Sequence, residues 1–170
     1  MTDDTDTVDA ILFGGCGEAE PAGKALLAQY RLFVETSEAL VLRRQGVNKF
    51  FLSVNSLVLA GTGLLLRDGE SSNVEAVLLI VLALGGASLC FVWRRLITSF
   101  QQLSRGKFDV IQKLEHKLPA RMFAAEWVAL GCGEDPKKYR PFTTVEAATP
   151  KVFGLVQVLL LGVGLWMLFG

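Results

Sequence analysis

The chain has 170 residues, 51% of them apolar, balanced between 17 basic and 17 acidic side chains, with a mean hydropathy of +0.41. So much apolar side chain in so short a chain argues against an ordinary water-soluble domain and for burial in lipid. The zero net charge by itself predicts nothing about partners; no nucleic-acid partner is expected.

Residues 1–22 read as a disordered acidic and glycine-rich tail. Met1 to Asp9 is rich in Thr and Asp and has no positive n-region or cleavage site, so it does not read as a signal peptide. Residues 23–47 have apolar Leu26, Tyr30, Phe33, Leu40 and Val41 at helical spacing, with Lys24, Arg31, Glu35 and Glu38 on other faces. This predicts an amphipathic helix that packs on other helices rather than on a lipid surface, because its polar face is mixed in sign.

Residues 48–66 form a first candidate transmembrane helix, and Phe50 to Leu66 holds no ionisable side chain. Two stripes run along it. Ser53, Ser56, Ala60 and Gly63 make a small-residue stripe suited to close helix packing, and Asn48, Asn55 and Thr62, seven apart, lie on the opposite side. A mid-membrane asparagine is costly unless it bonds to another helix or faces water, so these three are candidates for inter-helix bonding or for lining a pore.

Residues 67–73 are a short loop, and residues 74–95 a second span, opened by a capping box between Ser72 and Glu75. Ala76, Ala83, Ala87 and Cys90 share a face that Arg94 continues. Beyond the span, Leu96, Phe100, Leu103, Val110 and Leu114 keep a heptad-like seam as far as Pro119, which predicts one long helix extending about 30 Å beyond the membrane and packing against other helices, in this chain or in neighbouring copies, with these residues as candidate oligomer contacts and Gly106 as its bend. Residues 96–149 form a helical region outside the membrane. Arg121 to Leu130 reads as a short helix stopped by Gly131 to Gly133. Asp135-Pro136 starts a turn, Tyr139 to Phe142 is extended, Thr143 to Glu146 has capping-box spacing, and Thr149-Pro150 opens the next helix. Residues 150–170 form a third span with Gly154, Gln157, Leu161 and Gly164 on one stripe.

Of the 17 Lys and Arg residues, only Arg67 lies between the first two spans. The positive-inside rule then makes the N-terminus and the long middle region cytoplasmic, and the C-terminus external. Catalytic signals are missing: the single histidine, His116, sits beside Glu115 and Lys117 on a stretch read as solvated, and there is no nucleophile elbow or phosphate loop. Glu126 beside Trp127 reads as a structural ion-pairing carboxylate. Gly15-Cys16-Gly17-Glu18 and Gly131-Cys132-Gly133-Glu134 repeat four letters, but lack the tight pairing of zinc ligands and read as loops around reduced thiols. No catalytic residue, metal or cofactor is expected.

The stretch Asn48-Lys49-Phe50-Phe51-Leu52-Ser53-Val54-Asn55, followed by Trp93-Arg94, Leu96-Ile97, Ser99-Phe100, Lys107-Phe108, Val110-Ile111, Leu114-Glu115 and Leu118-Pro119, resembles the RipA family of bacterial octameric membrane proteins. Phe123, Glu126-Trp127, Leu130-Gly131, Lys137-Lys138-Tyr139 and Pro141 extend the likeness. The resemblance implies a cytoplasmic-membrane protein assembling in about eight copies, and implies no reaction.

Together these readings predict an all-α integral membrane protein with three transmembrane helices and a cytoplasmic helical collar, homo-oligomeric, in a bacterial inner membrane with its C-terminus periplasmic. Its partners would be further copies of itself, membrane lipid and an unidentified cytoplasmic protein. The expected role is a non-enzymatic scaffold or sensor in adaptation to stress or host conditions. The alternatives are a channel lined by Asn55 and Thr62 with Arg94 at its mouth, and a membrane-disrupting effector.

Overall fold

The structure, a computed structural model, describes residues 10–12, 23–67, 72–133 and 142–169; the Asp135-Pro136 turn, the rest of the tail and Tyr139 to Pro141 of the connector lie outside them, while residues 10–12, expected as disordered tail, are helical and Phe142, expected as extended, is the first residue of a helix. Every regular element of the described chain beyond residue 12 is helical: α1 (Gly23–Leu65), α2 (Asn73–Glu115), α3 (Met122–Ala129), a 3₁₀ turn (Gly131–Gly133) and α4 (Phe142–Phe169). No strand occurs among the described residues.

α1 is helical without interruption through the amphipathic stretch and the apolar stretch that the sequence separates at residue 47; no proline lies between them, and Gly46 does not interrupt it. α2 likewise passes through Gly106 unbroken, where a bend was expected. Its start is capped as predicted: the Glu75 amide donates to Ser72 Oγ at 3.2 Å and the Ser72 amide to Glu75 Oε2 at 3.5 Å. α4 begins at Phe142, so Thr149-Pro150 does not open it and Pro150 lies inside the helix. Proline removes one backbone donor there and leaves the preceding turn to hold by its own bonds.

The chain divides into two compact units, Met1–Leu42 with Gln101–Arg140 and Arg43–Phe100 with Pro141–Gly170. In the first, Leu26 and Tyr30 of α1 pack on Ile111 and Leu114 of α2, with Phe33, Val34, Val110, Leu118 and Phe123 around them. The Lys107 ammonium donates to Thr36 Oγ1 at 2.8 Å and lies 4.7 Å from the Phe33 ring centre. The buried edge of α2 here coincides with the expected seam only in part. Leu114 and Val110 belong to the chain's own core, whereas Leu103 is exposed, because the line in register with α1 passes through Ile111.

In the second unit α1, α2 and α4 run side by side. Phe51 stacks on Trp93, ring centres 5.8 Å apart, Phe153 reaches Trp93 at 6.3 Å, and Val47, Leu89 and Ile97 close the cluster. The inward line of α2 therefore continues from Ala76, Ala83 and Cys90 into Trp93 and Ile97, while Arg94, Leu96 and the half-buried Ala87 turn away from it. Arg44 pairs with Glu146 at 3.3 Å, tying α1 to α4.

Two described helices are long and apolar enough to cross a membrane, Asn73–Glu115 and Glu146–Phe169. Only 33% and 11% of their most apolar stretches are buried within the chain, the reverse of what core helices of a soluble protein show. α1 is not among them, since Asn48, Lys49, Asn55 and Thr62 lower its mean hydropathy.

Candidate functional site

The second unit gathers polar side chains between apolar helices. Asn55 is fully buried; its Nδ2 donates to the Phe51 carbonyl at 2.9 Å and its Oδ1 accepts from the Cys90 thiol at 3.2 Å. Two turns earlier, Asn48 Oδ1 accepts from the Trp93 indole N–H at 2.9 Å. Thr62, 2% exposed, donates to the Leu59 carbonyl of its own helix at 2.8 Å. The stripe spaced by sevens thus faces the chain's own helices. Two of its members bond to α2 in antiparallel register, as the pairings Asn48 to Trp93 and Asn55 to Cys90 require.

The small-residue stripe does the opposite. Ser53, Ser56, Ala60 and Gly63 are all exposed, and nothing lies within 4 Å of where a Cβ on Gly63 would stand. Ser88, also exposed, satisfies its hydroxyl by bonding to the Leu84 carbonyl one turn back at 2.8 Å.

On the far side of α2, the α4 stripe makes the close approach that the sequence suggested. A Cβ on Gly164 would stand 2.9 Å from Ile80 Cγ1 and 3.4 Å from the Ala76 carbonyl oxygen, and a Cβ on Gly154 would stand 3.7 Å from Cys90 Cβ. Between them Gln157, fully buried, lies where a Cβ on Gly86 would overlap its carboxamide. Among the described residues neither Gln157 Nε2 nor Oε1 has a hydrogen-bond partner. A buried carboxamide without a partner costs about 1–3 kcal/mol by mutational measures.

In the first unit the chemistry centres on Glu115. Its carboxylate is fully buried and accepts three bonds: from Tyr30 Oη at 2.9 Å, from the Phe123 amide at 2.9 Å and from the Ala124 amide at 3.2 Å. The last two are free amides of the first turn of α3, whose own N-cap, Arg121, makes no side-chain cap bond. A carboxylate from another helix therefore serves as the cap, with the helix dipole adding to the attraction. Burial, the hydrogen bond to Glu115 and its charge together push the Tyr30 hydroxyl up to about 12. Glu115 was read as solvated, beside His116. It is instead in phase with Ile111, four residues earlier, and that spacing was the signal for its burial. His116 is exposed as expected, and so is Glu126, which the sequence reading had in a structural ion pair.

Gly131, with φ 69°, and Cys132, with φ 53°, end α3 in left-handed backbone. Cys132 is exposed, and Cys16 lies outside the described residues. Among the described residues no three His, Cys, Asp or Glu side chains gather as a metal would require.

Apolar helices that bond their polar groups to one another and leave apolar faces outward define a helical integral membrane protein. The chain belongs to the octameric membrane protein family (8xMP), whose model matches residues 27–166. No match was found among curated proteins or among solved structures.

Proposed function

We propose that the chain is the subunit of a homo-octameric ring in a bacterial inner membrane, with three spans, a cytoplasmic N-terminus and a periplasmic C-terminus. It acts as a non-enzymatic scaffold or sensor in adaptation to stress or host conditions, with its extramembrane helices as a collar around which lipid and a cytoplasmic protein gather. The observation that carries this reading is the division of labour on α1. Its polar stripe is spent inside the chain, and its stripe of Ser53, Ser56, Ala60 and Gly63 is left open to a neighbouring helix. The family supports the copy number, and the lone Arg67 among 17 basic residues supports the orientation. The third span is residues 48–66, in which Asn48 and Asn55 bond to α2 instead of meeting lipid.

A channel lined by Asn55 and Thr62 is not adopted, since both side chains are buried against their own chain. The native mass of the full chain in mild detergent tests the proposal. A discrete eight-copy species is expected; a chain that stays monomeric in lipid overturns it.

A further inference from the structure

In the second unit three helices end their apolar stretches at one level. The Trp93 indole of α2 donates to Asn48 Oδ1 of α1, stacks on Phe51 of α1 and reaches Phe153 of α4, so these residues lie abreast. The cations stand at and just beyond that level: Arg43, Arg44 and Lys49 on α1, Arg94 and Arg95 on α2, and Lys151 on α4. Against these six stands one carboxylate, Glu146, and it is already paired with Arg44. Residues 39–58, 87–101 and 147–159 hold no Asp or Glu. Residues 134–141, outside the described ones, add Lys137, Lys138 and Arg140 against Glu134 and Asp135, so the sign of the region does not change.

The surface next to the cations is apolar and uncovered. Phe50, beside Lys49, is 60% exposed, Phe91 is 61% exposed, and Val152, beside Lys151, is 60% exposed. Arg43, Lys49, Arg94, Arg95 and Lys151 are themselves exposed, and among the described residues no carboxylate pairs with any of them. The Arg95 guanidinium lies 5.2 Å from the Phe91 ring centre, which holds this cation where the apolar surface begins.

We propose that this belt binds the phosphates of anionic phospholipids in one leaflet, with their acyl chains lying on Phe50, Phe91 and Val152. A cation above an open apolar side chain, repeated on three helices, fits a molecule with an anionic head and an apolar tail. A soluble anion would use only the first half of that surface. A zwitterionic lipid brings an ammonium of its own, which an excess of cations over carboxylates disfavours. The other end of the spans has Arg67 and Glu75, which balance, so the selection belongs to one leaflet. The inference rests on the spans proposed above, and not on the ring, and names the lipid that gathers there.

The test counts retained lipid by native mass. Full-length chain in mild detergent is given equal amounts of phosphatidylglycerol and phosphatidylcholine with the same acyl chains. Phosphatidylglycerol is expected to be retained at least about tenfold over phosphatidylcholine, and excess glycerol 3-phosphate is expected not to displace it. Arg95→Gln should lower the preference about fivefold, Arg95→Lys should keep most of it, and Arg67→Gln, at the far end of the spans, should leave it unchanged. Equal retention of the two lipids by the wild type, or Arg95→Gln as selective as the wild type, overturns the belt. Displacement by glycerol 3-phosphate overturns a lipid as its occupant. Carbonate extraction of membranes separates this from the reading beneath it: a chain released by carbonate overturns the spans, whereas an inserted chain without lipid preference overturns the belt alone.

Discussion

Three hydrogen bonds converge on one carboxylate at Glu115, and removing it strands a buried hydroxyl and two helix amides together. Glu115→Ala is expected to lower stability by about 3 kcal/mol and Tyr30→Phe by about 1–2 kcal/mol, with the pair non-additive, as measured by thermal unfolding in detergent. The Tyr30 hydroxyl also gives a pH dependence of known sign. Its pKa in the folded chain is raised from 10.0 to about 12, so the folded state holds the proton more tightly than the unfolded one. Its contribution is complete below pH 10 and is lost as pH rises from 10 towards 12. The slope of stability in that window should flatten in Tyr30→Phe; an unchanged slope would place the alkaline loss elsewhere. Gln157 predicts the opposite of the usual core substitution. Its carboxamide has no partner to lose, so Gln157→Leu is expected to raise stability by about 1–2 kcal/mol.

At the scale of elements, close helix contact decides what α2 and α4 tolerate. Gly164→Leu would press a side chain into Ile80 and the α2 backbone and is expected to cost about 1–3 kcal/mol, seen as a lower unfolding temperature. The turn after α3 works the other way: Cys132→Gly relieves a left-handed residue and is expected to gain about 1 kcal/mol. The sequence was informative wherever one spacing rule governed. The Ser72 to Glu75 cap, the short helix at Met122–Ala129 and the α4 glycine stripe were all legible, because each depends on residues a turn or two apart. The start of α4 was misread because a proline preceded by threonine looks like a helix opening, and nothing local announces a helix that carries through it. The seam of α2 past Arg95 was legible at Val110 and Leu114, which pack with α1, and not at Leu96 and Leu103, which are exposed. Leu96, Phe100, Leu103, Val110 and Leu114 satisfy a heptad as well as the true line does, and only the partner residues on α1 select between them. Glu115 was missed because its partners, Tyr30 and the first amides of α3, lie far along the chain or in backbone groups that no motif records.

Across the whole molecule, the division of stripes on α1 turns composition into assembly. The sequence shows that polar and small residues occupy opposite sides of one helix; which side serves the chain and which its neighbours depends on where α2 lies, and α2 lies on the asparagine side. Enlarging the open side is therefore expected to act on assembly rather than on folding. Ala60→Leu should reduce the eight-copy species in a native-mass measurement while leaving the helical signal unchanged.

The bond between Cys90 and Asn55 gives α2 an optical reporter that needs no label. A thiol S–H stretch absorbs where other protein groups are silent, and its frequency falls as the hydrogen bond it donates strengthens. With Cys16 and Cys132 replaced, a single infrared band would follow the separation of α1 and α2, and its movement under a candidate stimulus would register any sliding of α1 past α2.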